Sequence, residues 1–191
     1  MKSLPRSFYE RDTAKVAREL LGKILVHRSN KGVTSGKIVE TEAYYGKRDP
    51  ASRASRKMTK LNWLMWECGG LAFVYMVHAN DLFNVTTERE SMPGAVLIRA
   101  LEPLEGIELM QRRRRVMNEL ELTSGPGKLT QAMQITREHN ELDLTNPKSE
   151  LVIIEDTYRQ FKIGKSHRIG VTRDLKRELR FFVQDNPFVS R

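Results

Sequence analysis

The chain has 191 residues, 39% hydrophobic and 30% charged, enough for one domain that builds its own core without disulfides or a structural metal. Its 33 lysines and arginines against 24 acids give a formal charge of +9, which favours a polyanionic partner and makes acids the minority with a local task. No apolar run nears the roughly 20 residues of a membrane span, the single Cys68 excludes an internal disulfide, and His27, His78, His139 and His167 show no metal-ligand spacing, so neither membrane, metal nor cofactor is expected.

The first ten residues carry charges where a secretion signal is continuously apolar, so a cytoplasmic protein is expected. Asp12 or Thr13 is placed to cap a helix in which Ala14, Val16, Ala17, Leu20 and Leu21 form one apolar stripe, with Gly22 to end it. Ile24-Leu25-Val26 reads as a strand, Asn30-Lys31-Gly32 as a turn and residues 36–44 as a second strand, together an antiparallel hairpin. Along Gly36-Lys37-Ile38-Val39-Glu40-Thr41-Glu42-Ala43-Tyr44, alternation places Ile38, Glu40, Glu42 and Tyr44 on one face and Val39, Thr41 and Ala43 on the other. Glu42 and Tyr44 then lie about 7 Å apart at about 3.3 Å per residue, and an acid beside a flat ring suits a stacked, planar substrate. The same pattern fits an edge strand whose acids merely face water.

Residues 46–60 are polar and basic, with Arg53 among six cations and Pro50 interrupting them, a long loop suited to phosphate contact or a plain solvated connection. Residues 71–77 and 95–101 are apolar strands. Arg99 is the only charge inside the second, and a buried arginine needs an acid or a phosphate, Glu42 being one candidate; a solvated strand edge is the other reading. Residues 104–117 read as a helix ending in Arg112-Arg113-Arg114-Arg115, at most two of which can face one partner. Thr123-Ser124-Gly125-Pro126-Gly127-Lys128-Leu129 is no Walker loop, because Leu122 and Leu129 stand where glycine and a hydroxyl are required; it reads as a helix entry whose amides could face an anion. Residues 151–154 and 179–183 supply later strands. Cys68 has no sequence partner set for a thiol nucleophile, and no GxGxxG follows a strand. The mixed order of strands and helices predicts an α+β fold with a mainly antiparallel sheet.

Four ordered blocks resemble the alkyladenine (3-methyladenine) DNA glycosylase family over nearly the whole chain: residues 36–44; Gly94-Ala95-Val96-Leu97-Ile98-Arg99-Ala100-Leu101 and on to Gly106; residues 124–129; and Arg180-Phe181-Phe182-Val183 with Asn186-Pro187-Phe188-Val189-Ser190. The resemblance implies a single-domain monomer spanning 1–191, with a curved sheet in a partly open barrel or roll, helices around it and a hairpin that enters the DNA minor groove. It implies double-stranded DNA bearing a damaged purine as partner, no cofactor, and hydrolysis of the bond between base and deoxyribose after the nucleotide is flipped out.

By position, Glu42 matches the catalytic, water-activating glutamate and Arg99 the arginine near that water. Tyr44 matches the stacking aromatic, Tyr75 a second aromatic, Asn84 a gatekeeper against guanine, and Ile169 the residue whose carbonyl holds the water; Leu97 belongs with the pocket and Lys128 with DNA binding. Glu40 is expected to support. Two positions depart from the pattern: Arg53 stands where the family usually has a base-contacting histidine, and His78 stands at the wedge position of a hairpin one residue shorter, with Leu82 or Phe83 as substitutes. A catalytically silent lesion- or nucleic-acid-binding protein on the same scaffold is the alternative; an RNA-directed protein has little support, since neither an RNP-type strand nor a GxxG loop is present.

Overall fold

The structure is a computed structural model and describes residues 2–156 and 160–190. After a single turn, α1 (Arg6–Tyr9), Asp12 accepts a hydrogen bond from the Lys15 amide at 3.0 Å and caps α2 (Thr13–Leu20), as the sequence predicts. Val16, Ala17 and Leu20 are fully buried on the inner face of α2. Gly22 stops the run with φ +79°, a conformation other residues reach only under strain, and its amide donates to the Ile38 carbonyl at 2.8 Å.

The sheet contains β1 (Ile24–Ser29), β2 (Gly32–Tyr44), β3 (Ala72–Val77), β4 (Asn80–Thr86), β5 (Ala95–Glu105), β6 (Leu151–Ile154), β7 (Ile163–Ser166) and β8 (Arg180–Val183). Its order is β3-β4-β5-β2-β1-β6, with β8 joined to both β2 and β7. The pairings are antiparallel throughout, and the sheet curls into a half-barrel, the expected α+β arrangement. α2 packs against β2, and α4 (Pro126–Met133) packs against β4 and β5.

β2 is the longest strand and changes neighbour along its length. Residues 32–37 pair with β1, whereas Glu40, Thr41 and Glu42 pair with β8, and β5 runs along the opposite side. The acids therefore sit in a central strand, which removes the edge reading. The β2–β5 register slips on both sides of Glu40, leaving Val39 unpaired on β2 and Arg99 unpaired on β5. At the first of these bulges the simple alternation fails, because Ile38 packs in the same core as Val39 and Ala43.

The helix expected over residues 104–117 is shorter than its spacing suggested. β5 continues to Glu105, paired with Ser35, and α3 occupies only Ile107–Arg114. Gly106 makes the corner at φ +74°, where a side chain would run into the Val33 carbonyl. β7 and a 3-10 turn at Trp63–Trp66 had no sequence signal of their own. Residues 46–60 form the expected long loop, built of turns and bends.

Candidate active site

The sheet register assembles the site. One cross-strand row runs Phe73, Asn84, Leu97, Glu42, Arg180 through β3, β4, β5, β2 and β8. With strands about 4.8 Å apart, Asn84 and Glu42 stand roughly 10 Å from each other with Leu97 between them. A cavity of about 210 Å³ opens over this row; Tyr44, Arg53, Tyr75, Asn84, Leu97, Arg99 and Ile169 all contribute to its wall. That is narrow beside the roughly 300–1,000 Å³ of drug-sized pockets and fits one flat ring system. Wider hollows of about 860 Å³ beside the 46–58 loop and about 800 Å³ between α2 and β7 reach neither Tyr44 nor Arg99, so size does not identify the chemistry.

Glu42 is fully buried, and both its oxygens are engaged. Oε1 accepts the Ile169 amide at 2.7 Å; Oε2 accepts the Tyr44 hydroxyl at 2.8 Å and Arg99 Nη1 at 3.3 Å. Glu40, also fully buried, is held more firmly: Oε1 accepts from Arg99 Nε at 2.8 Å, Arg180 Nε at 2.7 Å and the Ser190 hydroxyl at 2.9 Å, and Oε2 from the Ser190 amide at 2.7 Å. Arg99 thus finds the acid expected of it, in duplicate. Burial works against its charge, but Glu42 and Glu40 outweigh that and hold its pKa above the ordinary arginine value.

Burial dominates Glu42 in the opposite sense. It pushes the carboxyl pKa up; Arg99, the Ile169 amide and the Tyr44 hydroxyl pull it back, and Glu40 adds to the rise. Tyr44 is likewise raised, first by burial and then by Glu42, so its hydroxyl stays protonated and donates. Glu42 lies directly behind the cavity wall, bonded to its Tyr44, Arg99 and Ile169, and a carboxyl of raised pKa beside a fixed guanidinium can take a proton from a bound nucleophile or stabilise a developing cation.

Two residues that hold this arrangement were not singled out from sequence, Asp49 and Arg168. The Arg168 guanidinium lies 4.5 Å from the Tyr44 ring centroid, forms a forked ion pair with fully buried Asp49 at 2.7 and 2.6 Å, and reaches Asp174 at 2.6 Å and the Ala43 carbonyl at 2.9 Å. It backs the tyrosine and fixes the adjacent Ile169, whose amide meets Glu42. Their sequence separation of 119 leaves no local pattern, and the one hint was an Asp immediately before Pro50 inside a basic loop.

Arg53 is solvent-exposed, and its guanidinium lies 4.7 Å from the centroid of Tyr75, whose ring packs 4.9 Å from Phe73. The Asn84 amide nitrogen donates to the Phe73 and Leu82 carbonyls at 3.2 and 3.3 Å, which fixes its orientation at the cavity wall. His78 and Ala79 form a two-residue turn between β3 and β4, with φ +46° and +63°. His78 is exposed at the tip and is not among the cavity-lining residues. Phe83 is fully buried in the core, so of the two substitutes only Leu82 remains, and it lines the cavity. Exposed Lys128 lies in the first turn of α4, beside Gly127, which packs against Asn80 of the hairpin, while Pro126 reaches the cavity. The lone Cys68 has its pKa raised by burial and its sulfur accepts from Arg6 at 2.9 Å, outside the cavity lining.

A family model described as Methylpurine-DNA glycosylase (MPG) matches residues 7–187. A protein of Prosthecochloris aestuarii named "Putative 3-methyladenine DNA glycosylase" is 44% identical over 189 residues, covering 97% of this chain and 90% of that protein. Proteins of the same name from Methanocella arvoryzae and Legionella pneumophila are 43% and 41% identical, each over 196 residues; both alignments span 100% of this chain and, respectively, 97% and 100% of those proteins.

Proposed function

The chain belongs to the methylpurine-DNA glycosylase family, and from that membership we propose that it excises damaged purines from duplex DNA, with hypoxanthine, ethenoadenine and alkylated adenine as substrates. As a member it is a DNA glycosylase, a hydrolase of N-glycosyl bonds. The target bond is inaccessible in stacked DNA, so the nucleotide turns out of the helix and its base enters the cavity between Tyr44 and Tyr75. Water attacks the sugar carbon as its bond to the base breaks. The bonding pair leaves with the purine and the proton from water passes to Glu42; a neutral lesion departs as an anion that takes one proton from solvent, Glu42 returns its proton to solvent, and a free base and an abasic site result. The negative charge of Glu42 stabilises the oxocarbenium-like sugar, and Arg99 orients the carboxylate.

What carries this reading is a fully buried Glu42 with a raised pKa, hydrogen-bonded to Tyr44, Arg99 and Ile169, three residues in the wall of a tyrosine-lined cavity of about 210 Å³. The described residues lining that cavity include no lysine to form a Schiff base with the sugar, which supports a water-using enzyme that leaves the strand intact. The test is to incubate duplexes containing hypoxanthine, ethenoadenine or 3-methyladenine with the protein and reveal abasic sites by alkali. Release of base by the wild type, lost in Glu42→Gln with DNA binding kept, is the expected result. Binding without release from any of the three would put a lesion-binding role in its place.

A further inference from the structure

We propose that His27, His139 and Glu150 form a binding site for one divalent transition-metal ion of the zinc type, separate from the base cavity. The three come from different parts of the fold: His27 from β1, His139 from the short turn Arg137–His139 that follows α4, and Glu150 from the residue just before β6. Both histidines are buried, at 2% and 7% exposure, whereas Glu150 faces solvent and leaves an entry path. One ligand atom from each lies within 4.8 Å of the others. None of the three lines the cavity walled by Tyr44 and Arg99.

The distances suit a tetrahedral ion. Two nitrogens each about 2.0–2.1 Å from such an ion stand roughly 3.3 Å apart; Nε2 of His27 and Nε2 of His139 stand 3.1 Å apart, their rings edge to face. The nearer Glu150 oxygen is 3.8 Å from His139 Nε2, and the ligand atoms of all three residues lie within 4.8 Å of one another. Two imidazoles and a carboxylate fill three positions and leave the fourth for water.

The surroundings are those of a ligand pair. His27 Nδ1 meets the Met133 carbonyl at 2.6 Å, which keeps the proton on Nδ1 and turns the Nε2 lone pair towards His139, the outer contact that metal-bound histidines ordinarily make. Without an ion, His139 Nε2–H donates to His27 and its Nδ1 accepts the Thr136 amide at 3.1 Å. Ligation moves that proton from Nε2 to Nδ1, which then donates a hydrogen bond to the Thr136 carbonyl 3.2 Å away in place of the one it accepted from the Thr136 amide. Arg113 is the neighbouring cation that opposes a bound ion, and Glu150 supplies the charge that offsets it. A bound ion would clip β1, the turn after α4 and the approach to β6 together.

The test uses the full chain stripped with a chelator, titrated with Zn2+ by calorimetry and with Co2+ by visible absorption. One ion per chain is expected, with a rise in Tm on adding Zn2+. Affinity should fall at least tenfold in His139→Ala and in Glu150→Gln, the latter altering only an exposed side chain and so keeping the fold. His78→Ala and His167→Ala should bind as the wild type does. Absence of stoichiometric binding, binding unaffected by both His139→Ala and Glu150→Gln, or binding that follows His78 or His167 instead would overturn the proposal.

Discussion

Glu40 and Glu42, two residues apart on β2, share one guanidinium: Arg99 donates from Nε to Glu40 at 2.8 Å and from Nη1 to Glu42 at 3.3 Å. The split is unequal, because Glu40 also gathers Arg180 and both donors of Ser190. One acid is locked by the fold, and the other keeps a raised pKa beside the cavity.

Exchanging each acid for its amide separates these roles. Glu40→Gln weakens two buried arginine contacts and should destabilise the fold by about 3–5 kcal/mol, the usual loss when one partner of a buried pair is removed. Glu42→Gln should fold, bind damaged duplex and lose about 10²–10⁴ of the excision rate. Thermal unfolding and single-turnover base release, measured on both variants, check the contrast.

The raised Glu42 pKa fixes the direction of two pH effects. On the proposed mechanism excision needs the carboxylate, so the rate should fall as pH drops through the raised value, placing the acid limb above the ordinary glutamate pKa of about 4.3. Stability changes in the opposite sense: between the ordinary and raised values the native chain holds a proton the unfolded chain has lost, so this group's contribution declines as pH rises. Glu42→Gln should remove that decline. Tyr44→Phe keeps the ring but takes a donor from the charged carboxylate, and should move the acid limb to higher pH. Rate profiles and urea midpoints across pH 4–8 read both.

The hairpin tip is under backbone strain. His78 and Ala79 both occupy positive φ, which costs a residue with a side chain about 1–2 kcal/mol. Ala79→Gly should raise stability by about 1 kcal/mol in denaturant titration. If His78 fills the gap left by a flipped base, His78→Ala should slow excision from duplex more than from single strands. Equal slowing on both would dismiss the wedge.

Arg53 carries a permanent charge over Tyr75, at the mouth of the cavity. Cationic 7-methylguanine should therefore be a poorer substrate than neutral hypoxanthine, which offers acceptor atoms to the guanidinium. Arg53→His should narrow the gap. Parallel excision assays on the two lesions decide it, and a wild-type preference for the cationic base would refute the idea.

Local patterns carried much of this chain. The capped stripe of α2, the first hairpin and the alternation of Glu40, Glu42 and Tyr44 were legible because each is set by neighbours in sequence. Other features depend on contacts that no window of sequence contains. The Asp49–Arg168 pair spans 119 residues and the His27–His139 contact 112. The helical spacing from Leu104 onward was outweighed by strand pairing that continues to Glu105, with the corner at Gly106. Nor could alternation alone tell a water-facing edge from the interior; the pairing of β2 with β8, a strand 140 residues away, decided that.

The Glu40–Ser190 contact sets a timetable for synthesis. Ser190 follows Glu40 by 150 residues, which at about 5–20 residues per second takes a ribosome roughly 8–30 s. Until that stretch emerges, the nascent chain holds an acid destined for burial without its hydroxyl and amide donors, and without Arg180. A fragment that ends before Arg180 can form the first hairpin but leaves Glu40 with Arg99 alone, so the paired acids of β2 reach their final setting only once Ser190 has emerged.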